Sequence, residues 1–247
     1  MVDTLSNRAL NWTPPPGDPL ILDLDGNGIT TSGIDPRQSI ILFDHNANGI
    51  KTASGWVAAG EGILVRDINA NGFIDTGREL FGDNTLLTRG ARAGQLAANG
   101  FEALADLDSN GDAQFDALDA EFANLKLWKD LNQDGISQSE ELFSLTALGV
   151  QSIQLNATTA RTDLGGGNTQ TMTASFTHQD AEGVSTQKHV GNLLLSNNDF
   201  YREFTDVTGF RKPTREPKPE PSPPRPPEPT LRGFLCTRQF ARQRAYS

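Results

Sequence analysis

Apolar positions between residues 101 and 148 recur at helical spacing. Phe101, Leu104 and Leu107 share one helix face, Phe122, Leu125 and Trp128 a second, and Leu142, Leu145 and Leu148 a third. After Gly149 the period shortens to two. Val150, Ile153 and Leu155 open a strand, and Met172, Ala174 and Phe176 alternate with Thr and Ser. Asp180-Ala181-Glu182-Gly183 then turns the chain into Val184–Val190, which completes a hairpin.

The polar positions carry a repeat of their own. Clusters of Asp, Asn and Gly begin at Asp23, Asp44, Asp67, Asp108 and Asp130, at spacings of 21, 23, 41 and 22 residues. The fifth cluster offers side-chain oxygens from Asp130, Asn132 and Asp134 at positions 1, 3 and 5. Gly135 follows at 6, the Ile136 carbonyl at 7 and Glu141 at 12. That is the EF-hand arrangement, in which alternate residues converge on one Ca²⁺ and glycine permits the sharp turn. Ser137 stands at position 8, where an apolar residue is usual.

The fourth cluster reads in two registers. A start at Asp106 puts Gly111 at position 6 and Ala117 at 12. A start at Asp108 gives Asn110, Asp112, the Gln114 carbonyl, Phe115 at 8 and Asp119 at 12, with Ala113 in the place of glycine. The second register is preferred for its extra carboxylate, and a helix from about Asp119 to Lys129 would then join loops four and five. Loop three runs through Asp67, Asn69, Asn71, the Phe73 carbonyl and Asp75, with Arg78 at position 12 and the acid, Glu79, one residue later. Loop one supplies Asp23, Asp25 and Asn27, with Ile34 at position 12 and Asp35 after it. Loop two (Asp44, Asn46, Asn48, Gly49) has a single carboxylate and reads as an Asn-Gly turn. The predicted fold class is therefore α+β: EF-hand-like calcium loops with short helices, plus small antiparallel sheet or hairpin elements.

Composition sharpens this picture. The chain has 247 residues and a net charge of −10. The segment from Arg211 onward holds nine of the 14 prolines and nine Lys/Arg against three Asp/Glu, which leaves a body with 12 basic and 28 acidic residues. An acidic body suits hard cations and opposes nucleic-acid binding, which needs Lys and Arg against phosphates. The expected organisation is a leader over 1–17, a folded module over 18–205 and a Pro-rich, basic, disordered tail over 206–247. With Cys236 alone, no internal disulfide can form. No apolar run reaches the roughly 18 residues of a transmembrane helix. The first twelve residues also lack a signal-peptide pattern, so an exported chain would leave by a route that reads another signal.

The runs GDPLILDLDGNGI, LFDHNANGIKTASGWV, LVRDINANGFIDTGRELFGDNT, LADLDSNGD and LWKDLNQDGIS resemble, in order over about residues 17–205, the self-processing module of large RTX calcium-binding proteins of the iron-regulated type. The resemblance implies secretion and a Ca²⁺-triggered break of an Asp-Pro bond, here Asp18-Pro19. It also implies transfer of the freed aspartyl group to a lysine amine of this or a neighbouring protein. The chain lacks the glycine-rich nonapeptide array of that family.

The chemistry follows from the residue types. An Asp carboxylate can attack its own carbonyl carbon, close a five-membered anhydride and expel the proline nitrogen. Asp35-Pro36 is an internal control expected to stay intact, and His45 is a candidate proton donor by type, although an exposed turn histidine is the plainer reading. Lys51, Lys126, Lys129, Lys188, Lys212 and Lys218 are the acceptors available within the chain. Two other readings compete: a calcium-folded, dockerin-like interaction module with no cleavage, and a haloacid-dehalogenase-type phosphatase suggested by Ile21-Leu22-Asp23-Leu24-Asp25-Gly26.

Overall fold

A computed structural model describes residues 16–204. Most of the expected leader, the tail with Lys212 and Lys218, and Cys236 lie outside the described residues. Fourteen strands follow in chain order. They are β1 (Leu20–Asp23), β2 (Thr31–Ser32), β3 (Leu42–Phe43), β4 (Ile50–Ser54), β5 (Trp56–Val57), β6 (Glu61–Val65) and β7 (Gln114–Asp116), then β8 (Lys126–Trp128), β9 (Leu142–Ser144), β10 (Val150–Gln154), β11 (Thr158–Gly165), β12 (Asn168–Gln179), β13 (Ser185–Leu194) and β14 (Asn197–Phe204). A single α-helix, α1 (Gly100–Ala105), is found among the described residues.

Nine strands form one sheet in the order β7-β10-β12-β13-β1-β6-β8-β9, with β11 also paired to β12. All its pairings are antiparallel. β1 is central: Leu20, Ile21 and Leu22 pair with Asn192, Gly191 and Val190 of β13, while Ile21, Leu22 and Asp23 pair with Ile63, Gly62 and Glu61 of β6. Successive side chains of a strand point to opposite faces. Leu20 and Leu22 accordingly join Leu64, Phe115, Leu127 and Phe176 in one apolar cluster, and Ile21 joins Phe43, Trp56, Ile63 and Trp128 in another. The sheet is thus covered on both faces, which explains why Leu20, Ile21 and Leu22 are fully buried.

The α+β expectation with EF-hand helices is overturned. The second and third helical patterns resolve into 3₁₀ turns followed or preceded by short strands: Phe122–Asn124 before β8, and Ser139–Glu141, β9 and Thr146–Leu148 in succession. A three-residue spacing arises as readily from such a turn as from an α-helix. The two clusters show the difference, because Leu125 packs into the first and Trp128 into the second. The first pattern does form a helix, though only of six residues, with Phe101, Leu104 and Leu107 in the core. The predicted hairpin is β12–β13, part of the nine-stranded sheet rather than a small element. β1 has antiparallel neighbours on both sides, so the α/β alternation a phosphatase fold requires is absent among the described residues.

Leu22→Ala should lower unfolding free energy by about 2–5 kcal/mol in urea titration, whereas the same change at exposed Leu118 should stay within about 0.5 kcal/mol.

Candidate metal loops and the Asp18-Pro19 bond

All five loops share one backbone conformation. Positions four and six are left-handed in each (Gly26 and Gly28, Ala47 and Gly49, Ala70 and Gly72, Gly111 and Ala113, Gln133 and Gly135), with φ between 52° and 95°. The four non-glycine residues among them adopt a conformation that costs roughly 1–2 kcal/mol. The same bond offsets that cost every time. The first aspartate accepts the N–H of the sixth residue: Asp23 from Gly28 at 2.9 Å, Asp44 from Gly49 at 2.8 Å, Asp67 from Gly72 at 2.9 Å, Asp108 from Ala113 at 3.0 Å and Asp130 from Gly135 at 2.9 Å. Loop four therefore takes the register that starts at Asp108. Loop two, expected as a plain turn, has the same conformation as the rest.

The other side chains of each loop are drawn inward. The position-3 oxygens of Asp25, Asn69, Asn110 and Asn132 accept the N–H of residue 5. The position-5 oxygens of Asn71, Asp112 and Asp134 accept those of Phe73, Gln114 and Ile136. Asn27 Nδ2 donates to Asp25 at 2.8 Å. The exit acids of loops four and five close back on their own loops. Asp119 accepts from Ser109 N at 2.5 Å, and Glu141 from Leu131 N at 2.8 Å and Trp128 Nε1 at 3.3 Å.

Loop three is closed differently. Glu79 accepts from Asp75 N at 2.8 Å, and Asp75 accepts from Asn71 Nδ2 at 2.7 Å. Asp67 Oδ1 and Glu79 Oε1 remain buried without a hydrogen-bond partner. Burial pushes the Glu79 carboxyl above its ordinary range. Two ionisable oxygens left without donors, with the charges of Asp67 and Asp75 acting on Glu79, fit a hard cation of the Ca²⁺ kind. Loops three and five meet at their eighth residues, where Ile74 N donates to the buried Ser137 hydroxyl at 2.6 Å. Ser137 thus does by hydrogen bond what an apolar residue does elsewhere by packing. In loop one, Asp35 caps its own turn by accepting the Arg37 N–H at 3.0 Å. Beside Asp23 and Asp25 stands Glu61 of β6, with one carboxylate oxygen of each within 4.8 Å of the others.

Asp18 and Pro19 are buried at the entrance to β1. The main chain there is fixed on two sides. Gly17 O accepts from Leu195 N at 2.7 Å and Pro19 O from Leu193 N at 3.0 Å, while Leu20 N donates to Phe81 O at 3.0 Å. The Asp18 carboxylate receives Asn192 Nδ2 and the backbone N–H of Asp83. Asn192 is itself held by Thr171 Oγ1 at 3.0 Å and by the Gly100 N–H at 2.7 Å. Gly82 lies against the Asp18 carbonyl, so a Cβ there would overlap its oxygen. Burial raises the Asp18 pKa to about 7, against the lowering effect of the Asn192 bond.

His45 is buried, not exposed, and its ring lies on Gly17. Its Nε2 is 2.8 Å from Ser54 Oγ, whose own proton goes to Gly55 O at 2.7 Å. Nε2 therefore carries the imidazole proton and Nδ1 does not. Burial lowers the His45 pKa to about 4, so at neutral pH it is the neutral imidazole and not the imidazolium acid that a proton donor would need. Among the candidate lysines, Lys188 donates to the Leu24 carbonyl, whereas Lys126 is exposed.

Sequence reasoning missed Asn192, Asp83 and Glu61. Asn192 lies 174 residues from Asp18, and no local pattern links them. Glu61 was legible only through a strand register that sets it beside Asp23. Residues 20–191 match the SPM domain family. The iron-regulated protein FrpA of Neisseria meningitidis serogroup C is 49% identical over 189 residues, covering 76% of this chain and 16% of that relative. The chain belongs to the SPM domain family and spans about a sixth of the length of the relative it matches. No helix among the described residues is long and apolar enough to cross a membrane.

Trp56 Nε1 donates to Asp130 at 2.7 Å, so both described tryptophans touch loop five. Ca²⁺ should change tryptophan emission, and Glu141→Ala should shift the midpoint of that change to at least about tenfold higher Ca²⁺; an unmoved midpoint would exclude Glu141 as a ligand.

Proposed function

We propose that residues 18–205 are a calcium-responsive self-processing module, exported as part of a longer protein, that breaks its own Asp18-Pro19 bond. One observation carries this reading. The segment that leaves loop three, Glu79 to Asp83, is the segment that holds the scissile residue: Phe81 O takes Leu20 N, Gly82 abuts the Asp18 carbonyl and Asp83 N–H reaches the Asp18 carboxylate. An ion held by Asp67, Asn69, Asn71, the Phe73 carbonyl, Asp75 and Glu79 would fix the start of that segment. The further ligand sets are Asp130, Asn132, Asp134, the Ile136 carbonyl and Glu141 in loop five; Asp108, Asn110, Asp112, the Gln114 carbonyl and Asp119 in loop four; and Asp23, Asp25 and Asn27 in loop one. Bound Ca²⁺ supplies positive charge to clustered carboxylates that otherwise repel, which couples ion binding to folding.

The chemistry belongs to Asp18. One carboxylate oxygen bonds to the Asp18 carbonyl carbon, the C–N bond to Pro19 breaks, and the electron pair goes to the proline nitrogen, which takes up a proton. That proton comes from water, because Asp83 acts on Asp18 as a negative charge and so carries no proton when Asp18 is ionised. Asn192 fixes the rotamer of the attacking carboxylate, an orientation effect of the kind that gives intramolecular reactions their advantage. The resulting five-membered anhydride is opened by water or by a lysine amine, the latter giving an Asp-Lys isopeptide bond within this chain or to a neighbouring protein. Asp35 sits in a different setting, with its carboxylate engaged by Arg37 N and its partner Pro36 exposed.

Added to chain prepared in EDTA, millimolar Ca²⁺ should generate ends at Asp18 and Pro19, read by mass spectrometry. Asp18→Ala should abolish them and Asp35-Pro36 should stay whole; folding with Ca²⁺ but no cleavage would leave only the interaction-module reading. Asn192→Ala should slow cleavage by about tenfold or more. The nucleophile is the ionised Asp18, whose pKa is raised to about 7, so the rate should climb from pH 6 and level off above about pH 8. A rate flat across that range would exclude Asp18 carboxylate attack.

A further inference from the structure

Loop one lacks an exit acid of its own, since its twelfth residue is Ile34. We propose that Glu61, from the neighbouring strand β6, is the missing ligand, so that loop one and β6 together form a cation site. The proposal rests on the reading of the loops as calcium sites and deepens it.

Three observations place Glu61 there. First, the register of β1 and β6 pairs Asp23 directly with Glu61, and a carboxylate oxygen from each of Asp23, Asp25 and Glu61 lies within 4.8 Å of the others. Second, Glu61 is completely buried and only half satisfied. Its Oε1 accepts from Thr30 N at 2.8 Å and Thr30 Oγ1 at 3.0 Å, while Oε2 has no hydrogen-bond partner. A buried carboxylate oxygen without a donor is costly, and a cation is the usual remedy when other carboxylates face it. Third, the residues flanking Glu61 are shaped to admit the loop. A Cβ on Gly60 would overlap the Asp25 carboxylate, and one on Gly62 would press on Leu24.

Loop three supplies an internal comparison. Its acid, Glu79, is also buried, also spends one oxygen on a loop N–H and also leaves the other without a partner. Glu61 repeats that arrangement from strand β6. The chemistry selects a hard divalent cation: three carboxylates, the Asn27 amide and main-chain carbonyls are oxygen donors of the Ca²⁺ type. A shared ion would also join β1 to β6 at the end of β1 opposite Pro19, roughly 13 Å away along the strand.

The test measures binding, not cleavage. In the full chain carrying Asp18→Ala, Ca²⁺ is titrated calorimetrically with and without Glu61→Gln, and strand content is followed by circular dichroism. One Ca²⁺ equivalent should be lost or weakened by about tenfold or more. Glu182→Gln removes one charge in the exposed β12–β13 turn and no ligand, and should leave stoichiometry unchanged. If Glu61→Gln does not fold, Glu61→Asp, which keeps the charge and shortens the reach, should show the same single weakened equivalent. Identical isotherms for the parent and a folded Glu61 variant would overturn the proposal, as would an equal loss in Glu182→Gln. Cleavage in chain that retains Asp18 is scored separately, so a chain that binds Ca²⁺ through Glu61 yet never cleaves sinks the self-processing reading and not this site.

Discussion

A single hydrogen bond, repeated five times, underlies the rest of this structure: the carboxylate of an aspartate receives the N–H of the residue five positions later. It holds backbone conformations that alanine and glutamine resist, and further side-chain oxygens in each loop bond main-chain N–H groups of the same loop. The bond also has an electrostatic consequence. Each loop gathers acceptors faster than it gathers donors, and a ring of acceptors without enough donors is stable only with a cation or a proton among them. Loops four and five answer part of that demand internally, through Asp119 and Glu141. Loop three leaves buried carboxylate oxygens of Asp67 and Glu79 without partners, and Glu61, beside loop one, leaves another.

The loops are also not independent. Loop three is tied to loop five through Ile74 and Ser137, and to loop two through the Asp44–Thr76 bridge and the 2.8 Å bond from Gly77 N to Asp44 O. The chain that exits loop three then reaches Asp18 within a few residues. His45, in loop two, packs on Gly17, and Asn84 Nδ2 holds the His45 carbonyl at 2.8 Å. Coupling between ion loops and the Asp-Pro bond therefore needs no long-range wire, because the elements that would order with the ions are those that touch the bond.

The loops were legible in the sequence because their chemistry is local. Position-specific Asp, Asn and Gly report a backbone conformation directly, and even the Asp108 register emerged from counting carboxylates. Beyond β10 and the β12–β13 hairpin, which the sequence pattern predicts, the sheet was not legible, for the opposite reason. Strands of two to five residues give too few turns of any period to separate from a 3₁₀ turn, and the Phe122-Leu125-Trp128 spacing imitates a helix while its members point to different cores. β1, buried on both faces, has no alternation at all. The groups around Asp18 were hidden by topology: Asn192 arrives from β13 and Asp83 from the exit of loop three, and only the register of β1 with its neighbours brings them to one place.

Asp18-Pro19 has an unusual position with respect to the sheet. Every described strand lies on its carboxyl side, and β1 begins at the very next residue after Pro19. A break at this bond would remove no strand pairing. Pro19 would become a chain end seated in an intact sheet, still bonded through its carbonyl to Leu193, while the described residues before the break would keep the bridge from Gly17 to Leu195, the His45 ring against Gly17 and the contacts of one aspartate. Severing and unfolding are thereby decoupled. The piece that begins at Pro19 would keep every described strand pairing, so a break here would give the sheet no reason to loosen.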